Sequence, residues 1–125
     1  MPRRLSRSIV TAVDESKYVR IKAGRPSGHR FIGIWAVVVN GRVFARSWTL
    51  EPDGWYRAFL DDPRGFLLVG DREVRIRAIP ARSESIRDAV ERAYAAKYTT
   101  PASKRYVRGF RTARRREATM EFVAR

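Results

Sequence analysis

One stretch of the chain has no polar face at all, and the rest is patterned around it. Residues 31–39 read FIGIWAVVV, apolar or glycine throughout. Their β-branched and aromatic members favour strand, and a run without a polar side predicts a strand buried on both faces, central rather than at an edge. Asn40-Gly41 follows. Both positions tolerate the positive φ of a type I′ turn, so the chain is expected to return as a hairpin. The returning segment, RVFARSWTL, sets Val43, Ala45, Ser47 and Thr49 on one face and Phe44, Arg46, Trp48 and Leu50 on the other. An arginine, a hydroxyl and an indole at the exit of a central strand can hold an anion beside a flat ring. The same pattern also fits an edge strand with a solvated arginine.

Elsewhere the period is either helical or strand-like. Leu5, Ile9, Val10 and Val13 recur at helical spacing and predict a short amphipathic helix. Residues 18–23 alternate, with Val19, Ile21 and Ala23 inward. Residues 24–30 then turn the chain. There Arg25, Ser27 and Arg30 are either phosphate donors or parts of an ordinary polar loop, and His29 receives no catalytic role. Asp53 is placed to cap a short helix whose broad apolar face holds Trp55, Tyr56, Phe59 and Leu60, and Pro63 stops it. Its two leading rings are either core or a wall lent to a ligand. Residues 65–69 read as a buried strand. In residues 73–80, Val74, Ile76 and Ala78 point one way, and Arg75, Arg77 and Ile79 form a wet, basic face on the other.

The longest helical pattern covers residues 83–98, where Ile86, Ala89, Val90, Ala93 and Tyr94 share a face and Ser85 with Asp88 suggests a capping box. Residues 104–116 carry seven basic side chains and no acid, with Tyr106 and Phe110 interleaved. They read as a solvated connector whose rings pack on the fold, or as a nucleic-acid contact through Lys104, Arg105, Arg108, Arg111, Arg114, Arg115 and Arg116. Residues 118–123 alternate as a final strand. The expected organisation is one domain over residues 1–125. It comprises an N-terminal helix in 1–16, strands over 17–82 with a short helix at 54–62, a helix at 83–98, a basic connector at 99–116 and a last strand at 117–124.

Composition narrows the chemistry. The 125 residues suffice for one modest core. Cysteine is absent and His29 is the single histidine, which removes disulfides, thiolate chemistry, cysteine nucleophiles and histidine-pair metal sites. No metal ligand set is assigned, and no side chain is assigned a catalytic role. The formal net charge of +14 favours polyanions or a phosphate-bearing ligand as partners, an anionic membrane surface among them. No apolar run is long enough to span a bilayer, and MPRRLSRS lacks the apolar core of a signal peptide, so the expected location is cytoplasmic.

Three short motifs carry a resemblance. They are Gly24-Arg25-Pro26-Ser27-Gly28 before the apolar strand, Trp55-Tyr56 followed by Leu60-Asp61-Asp62-Pro63, and Ala93-Tyr94-Ala95-Ala96-Lys97-Tyr98. Together with the order of elements, they resemble the split β-barrel flavin- and deazaflavin-binding superfamily. The likeness extends to its nitroreductase-like deazaflavin proteins and to a related bacterial family of unknown function. The resemblance implies a mainly β fold with flanking helices, a six-stranded antiparallel split barrel. It also implies a homodimer with a flavin-like ring near the dimer interface. By motif position, Arg25, Ser27 and Gly28 would face the cofactor, Arg46 and Ser47 would hold its phosphate, and Trp55 and Tyr56 would begin the helix that walls the site. One departure stands out. The Ser-Lys-Gly-Gly-like turn common in deazaflavin binders is replaced by Ser47-Trp48-Thr49-Leu50, so Trp48 can fill part of the ring pocket.

Two functions follow as expectations. In the first, the protein binds FMN or a deazaflavin cofactor and acts as an oxidoreductase, the cofactor supplying the hydride chemistry. In the second, the barrel has no cofactor and its basic face contacts nucleic acid.

Overall fold

A computed structural model describes residues 3–24 and 30–125. In chain order the elements are α1 (Arg7–Glu15), β1 (Val19–Ala23), β2 (Ile32–Ile34), β3 (Ala36–Val39), β4 (Arg42–Arg46) and α2 (Trp55–Asp61). They continue as β5 (Arg64–Val69), β6 (Arg72–Pro80), α3 (Glu84–Lys97), α4 (Pro101–Gly109), α5 (Ala113–Glu117) and β7 (Thr119–Ala124). The expected ligand-facing residues Arg25, Ser27 and Gly28, and His29 with them, lie outside the described residues.

Local chemistry accounts for most boundaries. Asn40 and Gly41 both take positive φ, 51° and 74°, as a two-residue hairpin turn of the primed type requires. Ser6 and Ser83 cap α1 and α3 by accepting the amides of Ile9 and Ile86. The cap of α3 is therefore Ser83, two residues before the expected Ser85. α2 starts after Gly54 without a side-chain cap, so Asp53 does not fill that role. The expected basic connector is helical. Thr100 caps α4 with Pro101 in its first turn, a pairing that starts a helix as readily as it ends the one before.

All strand pairs are antiparallel, in the order β2-β1-β5-β6-β7-β4-β3. The two ends of this ladder, β2 and β3, are halves of the single apolar run, joined through Trp35. The sheet therefore curls into a nearly closed barrel, and with β2 and β3 counted as one bent strand it has six staves. The expected single central strand is corrected in one respect: among the described residues its first half pairs with β1 and its second with β4, and neither half is paired on both sides. The cause is a side chain. Ala36 faces Ala45, so the next rung would join Trp35 to Arg46. Instead the Tyr94 hydroxyl donates to the Trp35 carbonyl at 2.6 Å and accepts the Arg46 amide at 2.9 Å. Both backbone groups are satisfied, and the two segments are wedged apart.

Two apolar clusters result. Inside the barrel, Ile21, Val43, Leu67, Ile76 and Phe122 meet Ile9 and Val13 of α1 and Phe59 of α2. Outside it, α3 covers β3 and β4, burying Val37 and Phe44 beneath Val90, Tyr94 and Tyr98, with Phe110 of the following segment. Among the described residues, no helix is long and apolar enough to cross a membrane.

Val90 has no solvent exposure in the outer cluster. Replacing it by Asp is expected to lower the unfolding free energy by at least about 3 kcal/mol, since a carboxylate there has no partner. Urea denaturation tests this, and an unchanged midpoint would refute the assignment of the α3 face.

Candidate ligand cleft

Beyond the Tyr94 wedge, β2 and the chain leaving β4 diverge, and a cleft of about 410 Å³ opens between them. Ile32 to Trp35 form one wall. Trp48 and Thr49 form the opposite one, Trp55 of α2 closes the barrel side, and Tyr106 and Phe110 come from α4 and its C-cap. All three tryptophans of the chain line this one space. Trp35 is fixed by face-to-face stacking on Tyr98, with centroids 4.1 Å apart and planes within 6°. Trp48 remains 40% exposed yet is held on several sides. Tyr106 and Phe110 meet it edge-on at 5.0 and 5.5 Å. The Arg115 guanidinium lies 3.9 Å from its ring centroid and donates to its carbonyl at 2.8 Å. Any side chain on Gly109 would overlap the Trp48 ring, so glycine there sets how closely α4 approaches.

Arg46 lies at the cleft floor with a fully buried side chain. Its Nε donates to Thr119 Oγ1 at 2.8 Å, Nη1 to the Phe110 carbonyl at 2.9 Å and to Glu91 at 3.3 Å, and Nη2 to the Arg87 carbonyl at 3.0 Å. Burial pulls its pKa below the usual arginine range, and Glu91 opposes that pull. Glu91 also takes Arg116 Nη1, while Arg116 Nη2 reaches Asp88 at 2.8 Å and Glu84 at 2.9 Å. These three carboxylates raise the Arg116 pKa. The reading of Arg46 as a solvated edge arginine is therefore corrected: β4 is an interior strand, and the guanidinium ties it to β7, α3 and the end of α4.

Of the other expected site residues, Trp48 and Trp55 reach the cleft with Arg46. Ser47 is buried and engaged internally, its hydroxyl donating to the Thr49 carbonyl at 2.7 Å and its amide to Ala118. Tyr56 points elsewhere, into a smaller cleft beside Arg57 and Arg114, and its hydroxyl donates to the Glu117 carbonyl at 2.9 Å. In the basic run, Arg115 and Arg116 are turned onto the protein, while Lys104, Arg105, Arg108, Arg111 and Arg114 are exposed. Trp35, Tyr106 and Phe110 were not anticipated as cleft residues. The four-residue spacing of Tyr106 and Phe110, downstream of Thr100-Pro101, is the helical signal that marks them. Among the described residues, no cluster of His, Cys, Asp or Glu could hold a metal ion.

A family model described as an uncharacterized protein conserved in bacteria (DUF2255) matches residues 9–122. The chain belongs to this family. No curated protein matches the DUF2255 chain in sequence. Solved structures match it in fold. A conserved hypothetical protein from Mycobacterium tuberculosis is 16% identical with a TM-score of 0.63, over 99% of this chain and 82% of that one. A putative pyridoxamine 5'-phosphate oxidase from Listeria innocua is 8% identical with a TM-score of 0.59, over 92% and 87%. A heme binding protein from Mycobacterium smegmatis is 13% identical with a TM-score of 0.55, over 98% of this chain and 52% of that protein. The fold of this DUF2255 chain is a split barrel, which these neighbours share.

Replacing Tyr94 by Phe leaves the Trp35 carbonyl and the Arg46 amide without their partner in a buried position. A loss of about 1–3 kcal/mol in unfolding free energy is expected, read by chemical denaturation. A variant as stable as the parent would mean that the wedge is not what satisfies these groups.

Proposed function

We propose that this DUF2255 protein binds a small molecule with a flat aromatic ring of the flavin or deazaflavin type in the cleft between β2 and Trp48. The observation that carries the reading is the cleft itself: about 410 Å³, open at one side, with Trp35, Trp48, Trp55, Tyr106 and Phe110 around it. That volume is in the range of ordinary cofactor sites, and aromatic walls suit a planar ring. Fold neighbours named as a putative pyridoxamine phosphate oxidase and a heme binding protein are in keeping with a ring-holding barrel.

The residues fit the ring better than a phosphate. Arg46 and Ser47 are engaged with internal acceptors, and Arg115 at the rim already serves Trp48 and the Gly109 carbonyl. The ring would therefore be held by stacking and exclusion of water, with Trp48, itself braced by Tyr106, Phe110 and Arg115, as one wall. If the ligand is a flavin or deazaflavin, hydride chemistry belongs to it. The chain's part is to orient the ring and keep the site dry. Reading the exposed cations of the basic run as a nucleic-acid contact gains no comparable support, since two of its seven members face inward.

Because every tryptophan lines the cleft, ring binding should quench intrinsic fluorescence directly. Titration with FMN and with a deazaflavin cofactor is expected to quench saturably, and Trp48→Ala to weaken binding about ten-fold, the equivalent of roughly 1.4 kcal/mol. Absence of quenching by either compound would refute the proposal.

We also propose a homodimer that covers the cleft mouth, where Ile32 is 42% exposed beside Gly33 and Trp48. Light scattering across a concentration series should give about twice the 14.4 kDa chain mass. A monomer throughout would overturn it.

A further inference from the structure

The outer face of the sheet, away from the cleft and from α3, carries a second pattern. The register aligns Lys22 of β1 with Phe66 of β5 and Phe66 with Arg75 of β6. Ile76 faces Ala124, so Arg125 falls beside Arg75. On the other flank Ile21 faces Ile32, which brings Phe31 beside Lys22. Across the sheet the row thus reads Phe31, Lys22, Phe66, Arg75, Arg125, two rings set among three cations. The Lys22 ammonium lies 4.8 Å from the Phe31 centroid and 5.1 Å from that of Phe66, and the Arg125 guanidinium lies 5.6 Å from Phe66. In the next row Arg64 stands opposite Arg77, a like-charge pair that destabilises a sheet. Asp62 pairs with Arg64 at 2.9 Å, but Arg75, Arg77 and Arg125 are exposed and have no ion pair among the described residues.

Neighbouring strands lie about 4.8 Å apart, so the row sets its cations along a line across the sheet. Such a row is neutralised by an anion whose charges repeat along a line, and half-exposed rings between the cations suit flat groups attached to that line. Duplex DNA offers the charges but keeps its base faces stacked, whereas a single strand offers both. A bilayer surface would supply charge without flat groups.

We propose that this face binds single-stranded nucleic acid, with phosphates on Arg75, Arg77 and Arg125 and bases on the rings of Phe66 and Phe31. The site shares no lining residue with the cleft and none with the basic run of residues 104–116.

Fluorescence anisotropy with a labelled single-stranded DNA of about twelve nucleotides, and with its duplex, tests the proposal over a range of salt. The full chain should prefer the single strand. Phe66→Leu, which keeps an apolar side chain and removes the ring, should weaken single-strand binding about ten-fold with the salt dependence unchanged. Arg75→Gln with Arg77→Gln should weaken binding and flatten the salt dependence, whereas Lys104→Gln with Arg105→Gln, an equal change of charge, should have little effect. Thermal melts establish that each variant is folded, and Phe66→Met replaces Phe66→Leu if the latter is not. Duplex bound as tightly as single strand, indifference to loss of the Phe66 ring, or equal losses in the two double variants would overturn the proposal. Displacement of the oligonucleotide by anionic vesicles at lower phosphate concentration would assign the face to a membrane instead.

Discussion

The Tyr94 hydroxyl takes the place of a backbone rung, and the shape of the barrel depends on that replacement. Without it, Trp35 and Arg46 would pair directly and continue the ladder. With it, both backbone groups keep a partner, yet the segments are held apart by the thickness of a side chain. The opening widens from that point into the cleft. Burial pushes the Tyr94 pKa well above its ordinary range, which favours the neutral hydroxyl that donates here. A phenolate could not donate to the Trp35 carbonyl, so a neutral hydroxyl is what the position requires.

A buried arginine beneath the wedge makes the arrangement specific. A fully buried guanidinium is tolerated only where acceptors surround it. Arg46 finds them on β7, on α3 and at the end of α4, three parts of the chain that share no local reason to meet. Glu91 then links this charge to Arg116, so the carboxylates of α3 serve both α5 and the cleft floor. Removing Arg46 would strand several acceptors at once. Such networks favour one packing over near alternatives more than they add net stability.

Periodicity made some of this legible. The α3 face, the inward residues of β1 and β6, and the Asn40-Gly41 turn follow from spacing and backbone preference, because neighbours in sequence determine them. The motifs around Trp55 and Tyr94 pointed to the split barrel. The break at Trp35 was hidden, because its cause lies in Tyr94, far along the chain, and an unbroken apolar run carries no sign of it. The fate of Arg46 was hidden for the same reason: a strand-exit arginine looks alike whether its partners are solvent, a ligand phosphate or Phe110 and Thr119. The helical nature of the basic run was visible in Thr100-Pro101, a pair that starts a helix, but seven cations without an acid read equally well as a solvated connector.

Lys97 adds a second strut near the wedge. Its ammonium donates to the carbonyls of Val13 and Ala36, joining α3 to the end of α1 and to the start of β3. Tyr94 and Lys97 thus grip two successive carbonyls, those of Trp35 and Ala36, from one helix. The separation of the two segments at the wedge is therefore set by where α3 sits on the sheet, a helix far along the chain from both.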